Sequence, residues 1–230
     1  MKKTARPIFL ILSLVISIFA VTANVNAADL KSSKQKYSYA IGFQIGSNLK
    51  RENADVDVDA IKQGIQDVLS GSELKISMED MQTAVMEMQK EQQAARQARG
   101  SKAMEEGKSF LAKNKKNKGV VELPNGLQYK IVKEGKGEKP KPTDTIVAHY
   151  RGTLIDGTEF DSSYKRGQPA TFAVNQVIKG WQEILPMIPK GSTWKVFIPS
   201  DLAYGERGAG ANIGPNETLV FDIELIDIKK

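Results

Sequence analysis

Few residues in this chain are equipped for covalent chemistry. Among its 230 residues there is no cysteine and one histidine, His149. Thiolate metal centres, cysteine nucleophiles and disulfides are therefore excluded, as are multi-histidine zinc sites. A serine–histidine pair would have one possible base. The glycines of the segment Asp201-Leu-Ala-Tyr204-Gly205-Glu-Arg-Gly208-Ala-Gly210 lie between two strand patterns and do not open a helix. They predict a turn loop at the rim of a pocket, not a phosphate cradle. What remains is a C-terminal set of tyrosines and tryptophans with Phe160, Phe172, Phe197 and Phe221, and isolated carboxylates. Such a set can act through shape, desolvation and hydrogen bonding.

The elements that must position these residues divide near residue 119. Every proline after Pro7 lies at or beyond Pro124, both tryptophans lie in the same part, and five of the seven methionines fall between Met78 and Met104. Before the division the spacing predicts three helices. The first carries Tyr37, Ala40, Ile41, Ile45 and Leu49, and the second carries Ile61, Ile65, Val68 and Leu69 between a cap at Asp57 and a stop at Gly71. A third opens at Ser77, with Asp80 completing a capping-box-like pair, and runs to about Lys116. Met78, Met81, Val85 and Met88 form a packing seam, after which the helix reads as polar all round and thus as a solvated connector. The apolar surface of this part is thin for one chain, which predicts pairing with a second copy through the N-terminal helices. Gly119 is the expected helix terminator, and the lysines before it suit a helix C-terminus.

Beyond residue 119 alternation of period two takes over. Pro124-Asn125-Gly126 predicts a turn before a strand with Leu127, Tyr129 and Ile131, and Asp156-Gly157 a hairpin. Trp194, Val196 and Ile198 alternate, as do Leu219, Phe221, Ile223 and Leu225, and one short helix is expected over 178–185. The fold class is α+β: a helical N-terminal dimerisation region and long connecting helix, then five or six antiparallel strands forming a curved sheet wrapped on a short helix. The expected divisions are 28–76, 77–118 and 119–230, after a segment 1–27.

That first segment has Lys2, Lys3 and Arg6 before an apolar run from Ile8 to about Ala23, then Val25-Asn26-Ala27, the layout of a secretory signal peptide. The run is short for a membrane span, so no transmembrane span is expected in the mature chain. Cleavage lowers the net charge from +6 to +3. The remaining excess is interleaved with acids, and specific nucleic-acid binding is not expected.

The string His149-Tyr150-Arg151-Gly152-Thr153-Leu154, followed by Asp156-Gly157, Phe160-Asp161-Ser162-Ser163, Val177-Ile178-Lys179-Gly180-Trp181, Ala203-Tyr204-Gly205 and Thr218-Leu219-Val220-Phe221-Asp222-Ile223-Glu224-Leu225, resembles the FKBP-type peptidyl-prolyl cis-trans isomerases over residues 123–229. The N-terminal helices, long helix and leader further resemble the Mip-like (macrophage infectivity potentiator) subgroup of Gram-negative bacteria. The resemblance implies rotation about X–Pro bonds without covalent catalysis, and no cofactor or metal. By position, Trp181 would be the pocket floor, with Tyr150, Phe160, Val177, Ile178 and Phe221 as walls. Asp161 would lie near the substrate carbonyl, the Ile178 amide and Tyr204 hydroxyl would donate to the bound chain, Ile213 would close the rim, and Arg166 joins the substrate-binding set. Ala170 and Ala209 depart from the family pattern at the pocket edge.

For single residues the plainer alternative is core packing. Asp161 could merely orient its loop through Arg166 or Tyr164, His149 is expected to be structural, and Phe172 and Trp194 are assigned to the core. The implied partners are proline-containing unfolded or surface proteins, a second copy of the chain and rapamycin-type macrolides. The implied location is the periplasm, outer membrane or cell surface. A holdase or surface-binding protein with incidental turnover is the competing function.

Overall fold

The structure is a computed structural model that describes residues 30–51 and 54–230; the expected leader lies outside them. The chain divides into two compact units between Ala54 and Asp55. The described part of the first is helix α1, Ser33–Arg51. Tyr37, Ile41, Phe43 and Ile45 are all exposed on it.

The second unit begins with α2, Val58–Ser70. The Asp57 carboxylate accepts the amides of Asp59 and Ala60, and Gly71 closes the helix in the left-handed conformation, φ 69°. Helix α3, Met78–Asn114, is capped by Ser77, whose hydroxyl accepts the Asp80 amide. At 37 residues it is about 55 Å long. It ends at Asn114, before the expected Gly119, in backbone turns where the amides of Lys115, Lys116 and Asn117 donate to the carbonyls of Leu111, Lys113 and Asn114. Gln128, fully buried, donates through Nε2 to the Leu111 carbonyl at 2.9 Å and accepts from Asn114 Nδ2 at 2.9 Å. The Leu111 carbonyl thus accepts both the Lys115 amide and a strand side chain, which ties the end of α3 to β2.

The second half of α3 also corrects the solvated-connector reading. Gly100, Ala103, Gly107 and Asn114 are buried, and Phe110 meets Phe197 with ring centroids 5.9 Å apart. The buried face is made of small residues, so a pattern of large apolar side chains does not reveal it. The first half keeps its apolar side chains exposed, among them Met78, Val85, Met86 and Met88.

Seven strands follow: β1 (Val120–Glu122), β2 (Gln128–Lys133), β3 (Thr145–Leu154), β4 (Glu159–Ser162), β5 (Ala170–Ala173), β6 (Thr193–Ile198) and β7 (Leu219–Lys229). They form one antiparallel sheet in the order β1-β2-β6-β7-β3-β4, with β5 also paired to β3. The count exceeds the expected five or six because β1 and β5, at three and four residues, are too short to show an alternation. Helix α4, Lys179–Ile184, packs on the sheet. A Cβ on Gly180 would stand 2.5 Å from Ile198 Cγ2, so glycine there sets how closely α4 lies on β6. Ile146, Ile184, Leu185, Val196, Ile198, Leu219, Ile223 and Leu225 are fully buried between them.

Gln128→Leu removes a buried donor and strands the Asn114 amide, so it is expected to lower unfolding free energy by about 2 kcal/mol. Urea denaturation of the full chain checks this. An unchanged midpoint would show that the amide pair does not hold α3 to the sheet.

Candidate active site

Glycine is what allows aromatic rings to meet at one end of the sheet. A Cβ on Gly152 would stand 2.6 Å from the Phe160 ring and 2.8 Å from the Phe221 ring, so β3 must lack a side chain where β4 and β7 send theirs. The rings surround Trp181, which is buried at the start of α4. Its ring meets Tyr150 at 5.6 Å, Phe172 at 5.3 Å and Phe221 at 5.2 Å, all edge-on, and Phe160 stands edge-on to Phe221 at 5.6 Å. These are the favoured arrangements for ring quadrupoles. The Trp181 Nε1 has no hydrogen-bond partner among the described residues, so ring contacts hold the indole.

A cavity of about 450 Å³ opens beside these rings, also lined by Asp161, Gln176, Val177, Ile178 and Tyr204. Eight of the ten residues singled out from sequence therefore meet on one cavity. The other two lie elsewhere. Ile213 is buried in the core cluster; reciprocal backbone hydrogen bonds with Ala209, 2.9 and 3.1 Å, turn its loop back on itself. Arg166 stands behind the wall, not on it. Conversely, Phe172 lines the cavity in contact with Trp181 and Tyr150 and is not simply core; its place beside Ala170 on β5 was the available signal. Gln176 also lines the cavity, and nothing in its type or spacing marks it.

The polar side of the cavity is a closed triangle. The Tyr150 hydroxyl donates to Asp161 Oδ2, Arg166 Nη1 donates to Asp161 Oδ1, and Arg166 Nη2 donates to the Tyr150 oxygen at 2.7 Å. The Arg166 guanidinium also lies 5.5 Å from the Tyr150 ring centroid. Burial pushes the Asp161 carboxyl up, but the hydrogen bonds from Tyr150 and Arg166 outweigh it and hold the group below the ordinary carboxylate range. Burial and then the bond to Asp161 raise the Tyr150 phenol. Burial and then the Asp161 charge raise the Tyr204 phenol. Both phenols therefore keep their protons at neutral pH, and the Tyr204 hydroxyl makes no hydrogen bond among the described residues. Behind Tyr150, the buried Ser163 hydroxyl accepts the Tyr150 amide at 2.8 Å and pairs with His149 Nδ1 at 3.0 Å, while His149 stacks on Tyr164. Among the described residues no group of His, Cys, Asp or Glu is placed to hold a metal ion.

The family model described as FKBP-type peptidyl-prolyl cis-trans isomerase matches residues 136–226, and that of the domain amino-terminal to it matches residues 34–131. The chain belongs to the FKBP-type peptidyl-prolyl cis-trans isomerases. It is 48% identical to the outer membrane protein MIP of Legionella longbeachae over 94% of each chain. It is 40% identical to the peptidyl-prolyl cis-trans isomerase Mip of Coxiella burnetii over 89% of this chain and 90% of that one. The crystal structure of FkpA from Escherichia coli superposes with a TM-score of 0.64 at 38% identity, covering 87% of this chain and 98% of that one. The cavity of this family member has aromatic walls and a paired carboxylate.

Because the folded-state pKa of Asp161 is depressed, its triangle stabilises the fold above the unfolded carboxylate pKa, about 3.9. That contribution fades as pH falls through the lower, folded value. Carboxyl-carbon NMR should show Asp161 titrating below the usual range and Arg166→Ala moving it upward. An ordinary midpoint in both proteins would contradict the triangle.

Proposed function

We propose that this FKBP-type isomerase accelerates X–Pro rotation by drying the amide and fixing the twisted chain with hydrogen bonds, with no proton transferred and no covalent bond made. The cavity packed around Trp181, with its carboxylate already paired, is the observation that supports this reading. The uncatalysed barrier of about 18–20 kcal/mol arises from amide resonance. That resonance is strongest when water stabilises the charge-separated planar form, so an apolar enclosure disfavours the ground state relative to the twisted one.

In this reading Trp181 lies under the proline ring, and Tyr150, Phe160, Val177, Ile178 and Phe221 enclose it. Asp161 lies near the substrate carbonyl while holding Tyr150 upright. The free Tyr204 hydroxyl and the Ile178 amide at the start of α4 donate to the bound chain. Rapamycin-type macrolides would compete for the same cavity. Ile213 and Arg166 act on substrate only through the residues they support.

The clients are proline-containing unfolded or surface proteins outside the cytoplasm, in the periplasm, at the outer membrane or on the cell surface. The Gram-negative relatives and the leader layout support that location. Among the described residues no helix is long and apolar enough to cross a membrane. Segments 28–76, 77–118 and 119–230 serve as dimerisation region, connecting helix and isomerase domain. The exposed apolar side chains on α1 and, separately, on α2 and the first half of α3, including Val68, Leu69, Met78 and Met86, favour burial against a second copy.

Trp181→Leu keeps an apolar side chain but removes the floor. Together with Asp161→Asn, it should reduce kcat/KM for a proline peptide by about tenfold or more, with far-UV circular dichroism unchanged. Wild-type turnover in both variants would overturn the site assignment. Sedimentation of the leaderless chain should give twice the single-chain mass, and a monomer would overturn the pairing.

A further inference from the structure

The second half of α3 does more than abut the isomerase sheet. It grips the loop that carries Tyr204 at three places. Arg96 Nη2 donates to the Arg207 carbonyl at 2.6 Å, Asn216 Nδ2 donates to the Gly100 carbonyl at 3.3 Å, and Gly107 lies so close to Thr218 that a Cβ would stand 2.3 Å from its Oγ1. Positions 96, 100 and 107 are four and seven residues apart and share a helix face. At Gly100 a Cβ would meet Pro215 Cβ at 3.1 Å, so small residues are what bring the helix backbone within reach of the loop.

The loop transmits that grip. Asn216 is the one non-glycine among the described residues with a positive φ, 58°, a conformation that asparagine tolerates better than most. Held there, its amide donates to the Gly205 carbonyl at 2.8 Å, which also accepts from the Gly208 amide at 3.3 Å. Gly205 is the next residue after Tyr204. A single residue therefore joins α3 to the Tyr204 loop: the Asn216 side chain holds the Gly100 carbonyl, and its backbone N–H holds the carbonyl of Gly205, one residue beyond Tyr204.

We infer that α3 is a positioning element for the isomerase reaction, with Asn216 and Arg96 as positioning residues that act through Tyr204. The inference rests on the reading of the Tyr204 hydroxyl as a donor to the bound chain. It assigns the connecting helix a part in catalysis as well as in spacing, and predicts that strain applied along α3 reaches the pocket rim through residues 205–216.

The test is a double-mutant cycle on the full chain. Asn216→Gly keeps the positive φ without strain and deletes the side-chain bond; Arg96→Met, on an exposed surface, deletes the other. Each should lower kcat/KM for a proline peptide about threefold or more. Each should also speed amide hydrogen exchange across residues 203–208, with the thermal midpoint of the sheet domain little changed. In combination with Tyr204→Phe, neither should lower kcat/KM further, because both act through that hydroxyl. Losses that add would overturn the proposal, since a merely structural contact gives additivity. Unchanged exchange in both variants would overturn the grip itself, whereas an unchanged Tyr204→Phe would overturn the reading of the hydroxyl. The two failures are therefore distinguishable.

Discussion

Trp181 has to be enclosed by other rings without the space above it being filled. An apolar hole of this size loses dispersion contacts on every wall, and a flexible wall would collapse into it. Tyr150, Phe172 and Phe221 resist collapse because each meets Trp181 edge-on, a geometry that braces rings against one another. Each ring also comes from a different strand of the sheet. The backbone ladders therefore fix the spacing of the walls, and glycine at 152 and 180 permits the close approach of Phe160, Phe221 and Ile198.

A cavity with aromatic walls also needs its charge contained. Asp161 gives one oxygen to Tyr150 and the other to Arg166, and these bonds favour its ionised form. The same triangle makes Tyr150 a rigid wall. In the proposed function it leaves the Tyr204 hydroxyl and the amide at the head of α4 as the donors to a bound chain. On the inferred role of α3, its small-residue face meets the segment before β7 and holds the Tyr204 loop.

The sequence made much of this legible where local rules and tertiary structure agree. Caps at Asp57, Gly71 and Ser77, the Asp156-Gly157 hairpin and the alternation of β6 and β7 are readable because each is decided within a few residues. The cavity's floor and most of its walls are readable through the family resemblance, whose motifs keep their order and spacing. What escaped depends on distant partners. Gly100, Ala103 and Gly107 carry no apolar signal, because their value lies in what they leave out. The last turn of α3 is tied to β2 by Gln128, seventeen residues from Leu111. Ile213 turns inward because its loop closes on Ala209, Arg166 serves behind a wall, and Phe172 reaches the cavity only because β5 pairs with β3.

In the proposed function rotation is catalysed by a dry, braced enclosure and not by moving a proton. The most direct test is the solvent isotope effect on kcat/KM for a proline peptide, measured in H2O and D2O at matched protein integrity. The account predicts equal rates, since neither Asp161 nor Tyr204 exchanges a proton with the reacting amide. A rate markedly slower in D2O would show a proton in flight in the transition state and contradict it.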